Sequence, residues 1–161
     1  MQQGSCPPPM QAERMTRTDG LPAGGFNALV PEFDVTDLPR SLHFWCAGLG
    51  FTVAYGRPES GFAYLEREGA QVMLCRMDGT WQTGPHEYPL GRGLNFQIAV
   101  TDVTAVLAGL ERLNWPLFRP LRDVWRVTGD RQSGDREFLV QDPDGYLLRF
   151  SQGLGERPLD P

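Results

Sequence analysis

The chain has 161 residues, 40% of them hydrophobic and 22% charged, with a net charge of −5 and a pI near 5.0. That length suits one ordinary domain with a packed core, and no apolar run approaches the ~20 residues a membrane helix needs. The acidic balance argues against a nucleic-acid binder, while 19 glycines and 14 prolines favour a turn-dense, strand-rich fold over a helical bundle.

Residues 1–25 carry Pro7-Pro8-Pro9 and Gly24-Gly25 without an apolar signal segment, and are expected to form a flexible tail. Met10 and Met15 are alternative starts. Over residues 28–36, Leu29, Pro31, Phe33 and Val35 alternate with Val30, Glu32 and Asp34, the pattern of a half-buried strand. Thr36 or Asp37 then caps a helix with Pro39 in its first turn, and Leu38, Leu42, Trp45 and Leu49 form its apolar side. Trp45 is thereby assigned to the core. Gly48 and Gly50 end the helix, and strands are expected at 51–55, 62–66 and 71–76.

Residues 77–92 read as a long loop, with Asp78-Gly79, Gly84-Pro85, Pro89 and Gly91. The first pattern then returns. Leu94, Phe96, Ile98 and Val100 alternate with Asn95, Gln97 and Ala99. Thr101-Asp102 caps a helix carrying Val103, Val106, Leu107, Leu110 and Leu113, with Asn114 supplying its left-handed exit. Strands are expected at 115–121, 136–141 and 146–151, the last two separated by Asp142-Pro143-Asp144-Gly145. Asp37-Leu38 and Asp102-Val103 are thus equivalent points of one unit repeated 65 residues later. Such a repeat predicts two modules sharing a sheet or barrel with a cavity between them.

Cys6, Cys46 and Cys75 lack metal or redox spacing and suit inert thiols in a reducing cytosol, so the protein is expected to be cytoplasmic. No nucleophile elbow, phosphate loop or dinucleotide fingerprint is present.

The segments 37–45, Leu49-Gly50-Phe51, 93–100, and Arg136-Glu137-Phe138 leading into Asp142-Pro143-Asp144-Gly145 resemble the vicinal oxygen chelate superfamily of glyoxalase I, extradiol dioxygenases and bleomycin-resistance proteins. The resemblance covers residues 28–152. It implies an α+β fold of two paired βαβββ modules forming a concave, barrel-like sheet with a groove, helices on the outside. It divides the chain into a tail (1–25), a domain (26–155, with module one at 28–76, the loop at 77–92 and module two at 93–152) and a C-terminal tail (156–161).

The superfamily's metal-ligand positions fall at Val30, at Gln71 or Met73, at Asn95 and at Arg149. Val30 has no donor and Arg149 would repel a cation, so no metal, no cofactor and no catalytic residue is expected. The groove is then expected to be lined by Glu32, Phe62, Trp81, His86, Asn95, Gln97, Trp125 and Arg149, with Glu32 a possible partner of Arg149 across it. Those drug binders often carry a Trp just before the Arg-Glu-Phe segment, where this chain has Ser133-Gly134-Asp135, leaving Trp125 as the nearest ring.

The function implied is metal-independent sequestration of a cationic or aromatic antibiotic of the bleomycin type, or of a similar ligand. The implied form is a homodimer with no nucleic-acid or membrane partner. The alternative is a metal-dependent glyoxalase-like lyase or dioxygenase using some combination of Glu32, Gln71, His86 and Asn95. A third is an interaction module with an empty groove.

Overall fold

The computed structural model describes residues 20–159. Strand β1 (Glu32–Val35) is shorter than the alternation suggests, because Pro31 has no N–H to give to a ladder, although its carbonyl still accepts from Met73. Helix α1 (Leu38–Leu42) is capped by the Asp37 carboxylate, 3.0 Å from the Arg40 N–H, and widens into a π-type segment (His43–Gly48). Gly50, at φ 73°, turns the chain out of it. Strands β2 (Thr52–Arg57), β3 (Phe62–Arg67) and β4 (Ala70–Arg76) follow, giving the order β1-β4-β3-β2.

Module two repeats this plan. After β5 (Phe96–Ala99), Asp102 caps α2 (Val103–Arg112), and Asn114, at φ 51°, makes the left-handed exit. Then β6 (Leu117–Thr128), β7 (Arg131–Gln141) and β8 (Leu147–Pro158) give the order β5-β8-β7-β6. The fold is therefore α+β with two βαβββ modules. No helix among the described residues is long and apolar enough to cross a membrane.

Several boundaries differ from the sequence expectation. Strands β6 to β8 extend into an arm built from residues that carry no apolar alternation. Its ladder is reinforced instead by Arg136 paired with Asp123 (2.7 and 2.9 Å), Arg131 with Glu156 (2.7 Å) and Arg157 with Gln132 (2.6 Å). Residues 156–158, expected as tail, complete β8. At the other end, residues 1–19, Cys6 among them, lie outside the described residues. Residues 20–25 are seated on module one, with the Ala23 N–H donating to Glu66 and the Gly25 carbonyl accepting from Gln71.

Both modules turn their helix-bearing faces into one shared core, where Phe33, Trp45 and Leu74 meet Val106, Phe138 and Phe150. The helices touch at two glycines. A β-carbon on Gly109 would fall inside the van der Waals shell of the Gly48 carbonyl, so only glycine permits this approach. A polar clasp joins the modules as well. The Asp144 carboxylate accepts from the Thr36 hydroxyl at 2.5 Å and its N–H at 3.2 Å, and the Tyr146 hydroxyl donates to the Asp34 carbonyl at 3.1 Å.

Gly109→Ala tests the helix contact. At an open helical position this change adds roughly 1 kcal/mol of stability. Here it is expected to remove about 1–3 kcal/mol through overpacking against backbone, measured by urea unfolding.

Asp142 gives a pH signature. Burial pushes its carboxyl up to about 6, against hydrogen bonds from the Tyr146 and Asp144 N–H groups. Between roughly pH 4 and 6 the folded state keeps a proton that the unfolded state has lost, so stability falls as pH rises through this window. Asp142→Asn keeps an acceptor oxygen and removes the titration. Its stability relative to wild type is expected to rise by about 2–3 kcal/mol between pH 4 and 7 in urea titrations.

Candidate small-molecule site

The period of two along β1 sends Phe33 and Val35 into the core and Glu32 and Asp34 to the opposite face. Register places Met73 beside Glu32, Cys75 beside Asp34, and Tyr64 and Phe62 beside those two. Tyr55 stacks on Tyr64 at 5.1 Å, and Phe26 meets both rings edge-on. Phe62, expected to line the groove, is only 4% exposed and lies under the Arg57 guanidinium at 3.9 Å. Its ring belongs to the packing of this face.

Next to that cluster the long loop folds over β1, held by the Leu90 N–H on the Asp144 carbonyl. It encloses an open pocket of about 450 Å³ lined by Glu32, Asp34, Trp81, His86, Leu94 and Tyr146. Three of the expected residues, Glu32, Trp81 and His86, therefore come together. The residue that sequence reasoning missed is Asp34. It is 6% exposed, and neither carboxylate oxygen has a hydrogen-bond partner among the described residues. Burial raises its carboxyl above the usual range, with a His86 charge opposing and Asp78 adding to the rise. A buried carboxylate without donors costs stability unless something supplies them. Trp81, 56% exposed, offers a flat apolar face at its rim.

The other expected residues lie elsewhere. Asn95 and Arg149 line a second pocket on module two, of about 310 Å³, with Gln97 beside Arg149 in register. The carboxylate near Arg149 is Glu137 at 3.7 Å, where Glu32 was the expected partner. Trp125 is opposite Gly134, which shares the Phe138 side of β7, so it faces away from Arg149. A β-carbon on Gly134 would stand 2.7 Å from its ring, and Arg157 stacks over it at 4.2 Å. Ring and guanidinium satisfy each other there, and Trp125 does not join the Asp34 pocket.

The donor set does not fit a metal. Val30 has no donor atom, and the Gln71 oxygen already accepts from Asn27 N–H at 2.8 Å and Tyr64 hydroxyl at 2.6 Å. Arg149 brings a cation to the fourth position. Among the described residues no three His, Cys, Asp or Glu side chains are grouped to share a metal ion.

The Glyoxalase/Bleomycin resistance protein/Dioxygenase superfamily model matches residues 32–150. Bleomycin resistance proteins of Geobacillus stearothermophilus and Staphylococcus aureus (strain MRSA252) are each 30% identical over 129 residues, spanning 78% of this chain and 96% of theirs. The chain belongs to this superfamily. Its fold is shared with TioX from Micromonospora sp. ML1, with a TM-score of 0.60 at 22% identity over 80% of this chain and 100% of that one. A bleomycin resistance determinant encoded on the transposon Tn5 gives a TM-score of 0.55 at 17% identity over 80% and 99%.

Asp34→Asn is expected to act in two directions. Removing an unpartnered buried charge raises the stability of the free protein at pH 8 by about 1–3 kcal/mol, read from urea midpoints. Cationic ligands that stabilise the wild type are expected to lose that effect on the variant.

Proposed function

We propose that the protein binds and sequesters a small cationic, aromatic molecule of the bleomycin type, and does no chemistry on it. The observation that carries this is the Asp34 carboxylate, buried without a donor in a pocket shared with Glu32, His86 and Trp81. A ligand ammonium would supply the missing hydrogen bonds in a charge-assisted form, and a flat heteroaromatic ring would stack on Trp81. The acidic net charge favours the approach of such a cation. The 30% identity to proteins named for bleomycin resistance supports the same ligand class. The working form is taken as a cytoplasmic homodimer. Exposed Leu121 and Val127 on the edge strand β6 support a protein contact there.

The test is a tryptophan-fluorescence titration with metal-free and copper-loaded bleomycin, with lysozyme as control for non-specific quenching. Saturable quenching in the micromolar range or tighter is expected. Trp81→Phe should remove most of the signal, and Asp34→Asn should weaken binding about tenfold or more, the loss of a charge-assisted hydrogen bond. An unsaturable change, or binding indifferent to both substitutions, would overturn the proposal.

A further inference from the structure

We infer that the open face of module two is a second, independent site that takes an oxyanion, the carboxylate, sulfate or phosphate group of a small organic molecule. Four guanidinium groups, Arg119, Arg122, Arg126 and Arg149, line its pocket around a single carboxylate, Glu137. This is a concentrated positive patch on an acidic protein.

The plain alternative is that these arginines exist only to neutralise Glu137. The bonding pattern argues against that. Glu137 is 2% exposed, and its two oxygens already accept from Arg126 at 3.0 and 2.8 Å and from Arg122 at 3.1 Å. Burial alone would raise its carboxyl. The hydrogen bonds from Arg126 and Arg122 and the nearby Arg149 charge outweigh burial and hold it below the usual range. It is therefore a fixed anion that fastens two guanidinium groups in place. Asp135 is occupied too, accepting from Ser151 at 2.6 Å and lying 3.4 Å from Arg126.

Arg149 is only partly engaged, and Arg119 is left over. The Arg149 side chain, 26% exposed, is 3.7 Å from Glu137, too far for a hydrogen bond, and its Nε is buried with no partner. Arg119 has no carboxylate within ion-pair distance among the described residues. Four guanidinium charges against two carboxylates leave the face with unspent N–H donors. Paired forks of this kind match the oxygens of a planar or tetrahedral anion. Leu139, Leu147 and Phe118 line the same pocket, so the anion is expected to carry an apolar or aryl group.

The test uses the full chain in thermal-shift and calorimetric titrations. Sodium sulfate, sodium phosphate, benzoate and phenyl phosphate are compared with sodium chloride at matched ionic strength. At least one oxyanion is expected to raise the melting temperature saturably above chloride. Benzoate against phosphate then separates carboxylate from phosphate recognition, and phenyl phosphate binding tighter than phosphate would show use of the apolar wall. Arg119→Gln and Arg149→Gln should each weaken the response about tenfold. Arg119 is the safer of the two because it is not ion-paired with Glu137, whereas Arg149 lies 3.7 Å from it. Asp34→Asn and Trp81→Phe should leave the response unchanged, which separates this site from the cation pocket whichever of the two fails. Equal behaviour of all salts, or a response that survives both arginine substitutions, would overturn the inference.

Discussion

The Gly48–Gly109 contact decides what the rest of the molecule can be. With no β-carbon between them, the π-type end of the first helix and the middle of α2 pack backbone against backbone. That closeness lets side chains from both helices and both sheets share one core: Phe44 reaches Trp115 at 4.7 Å, and Phe33 reaches Phe96 and Tyr146 at the same distance. Each sheet then spends its helix-bearing face on the shared interior. Its other face lies outside that interior, and residues 20–30 and the long loop cross part of it.

Much of this architecture is legible in the sequence, because the features that carry it are local. Asp37 and Asp102 are caps whose side chains bond within three residues, and the apolar alternation of residues 94–100 fixes which face of β5 is buried. The π-type widening at His43–Gly48 has no such signal, since the apolar spacing of Leu42, Trp45 and Leu49 fits an ordinary helix equally well. The arm was hidden for a different reason. Residues 122–135 pair largely through charged and polar side chains, so the apolar alternation that marks a half-buried strand is missing.

The residues of the candidate pocket were only partly legible. Glu32, Trp81 and His86 come together because one strand and one loop meet, and a pocket between them could be guessed from the long loop alone. Asp34 shares the parity of Glu32, which was a usable signal. Its importance, though, depends on burial without a donor, and that is set by residues far along the chain. Trp125 shows the opposite limit. A tryptophan amid polar residues invites a ligand contact, but cross-strand register puts it over Gly134 and Arg157, on the other side of the sheet.

The repeat offers a direct comparison of the two open faces, because equal topology makes their positions correspond. Shifting by 65 residues sets Glu32 against Gln97 and Asp34 against Ala99. The ladders then set Met73 against Arg149, and Phe62 against Glu137. Acid lies on the edge strand of module one and neutral side chains on that of module two. The neighbouring strands hold an aromatic and sulfur surface in the first and an ion-paired surface in the second. The strand order is the same in both modules, so the difference in charge between the two open faces lies in these few side chains. The Arg149 position that removes the fourth metal donor is also the position that gives module two its unspent positive charge. With Val30 at the first position and the Gln71 oxygen already engaged at the second, Arg149 completes a donor set that does not fit a metal.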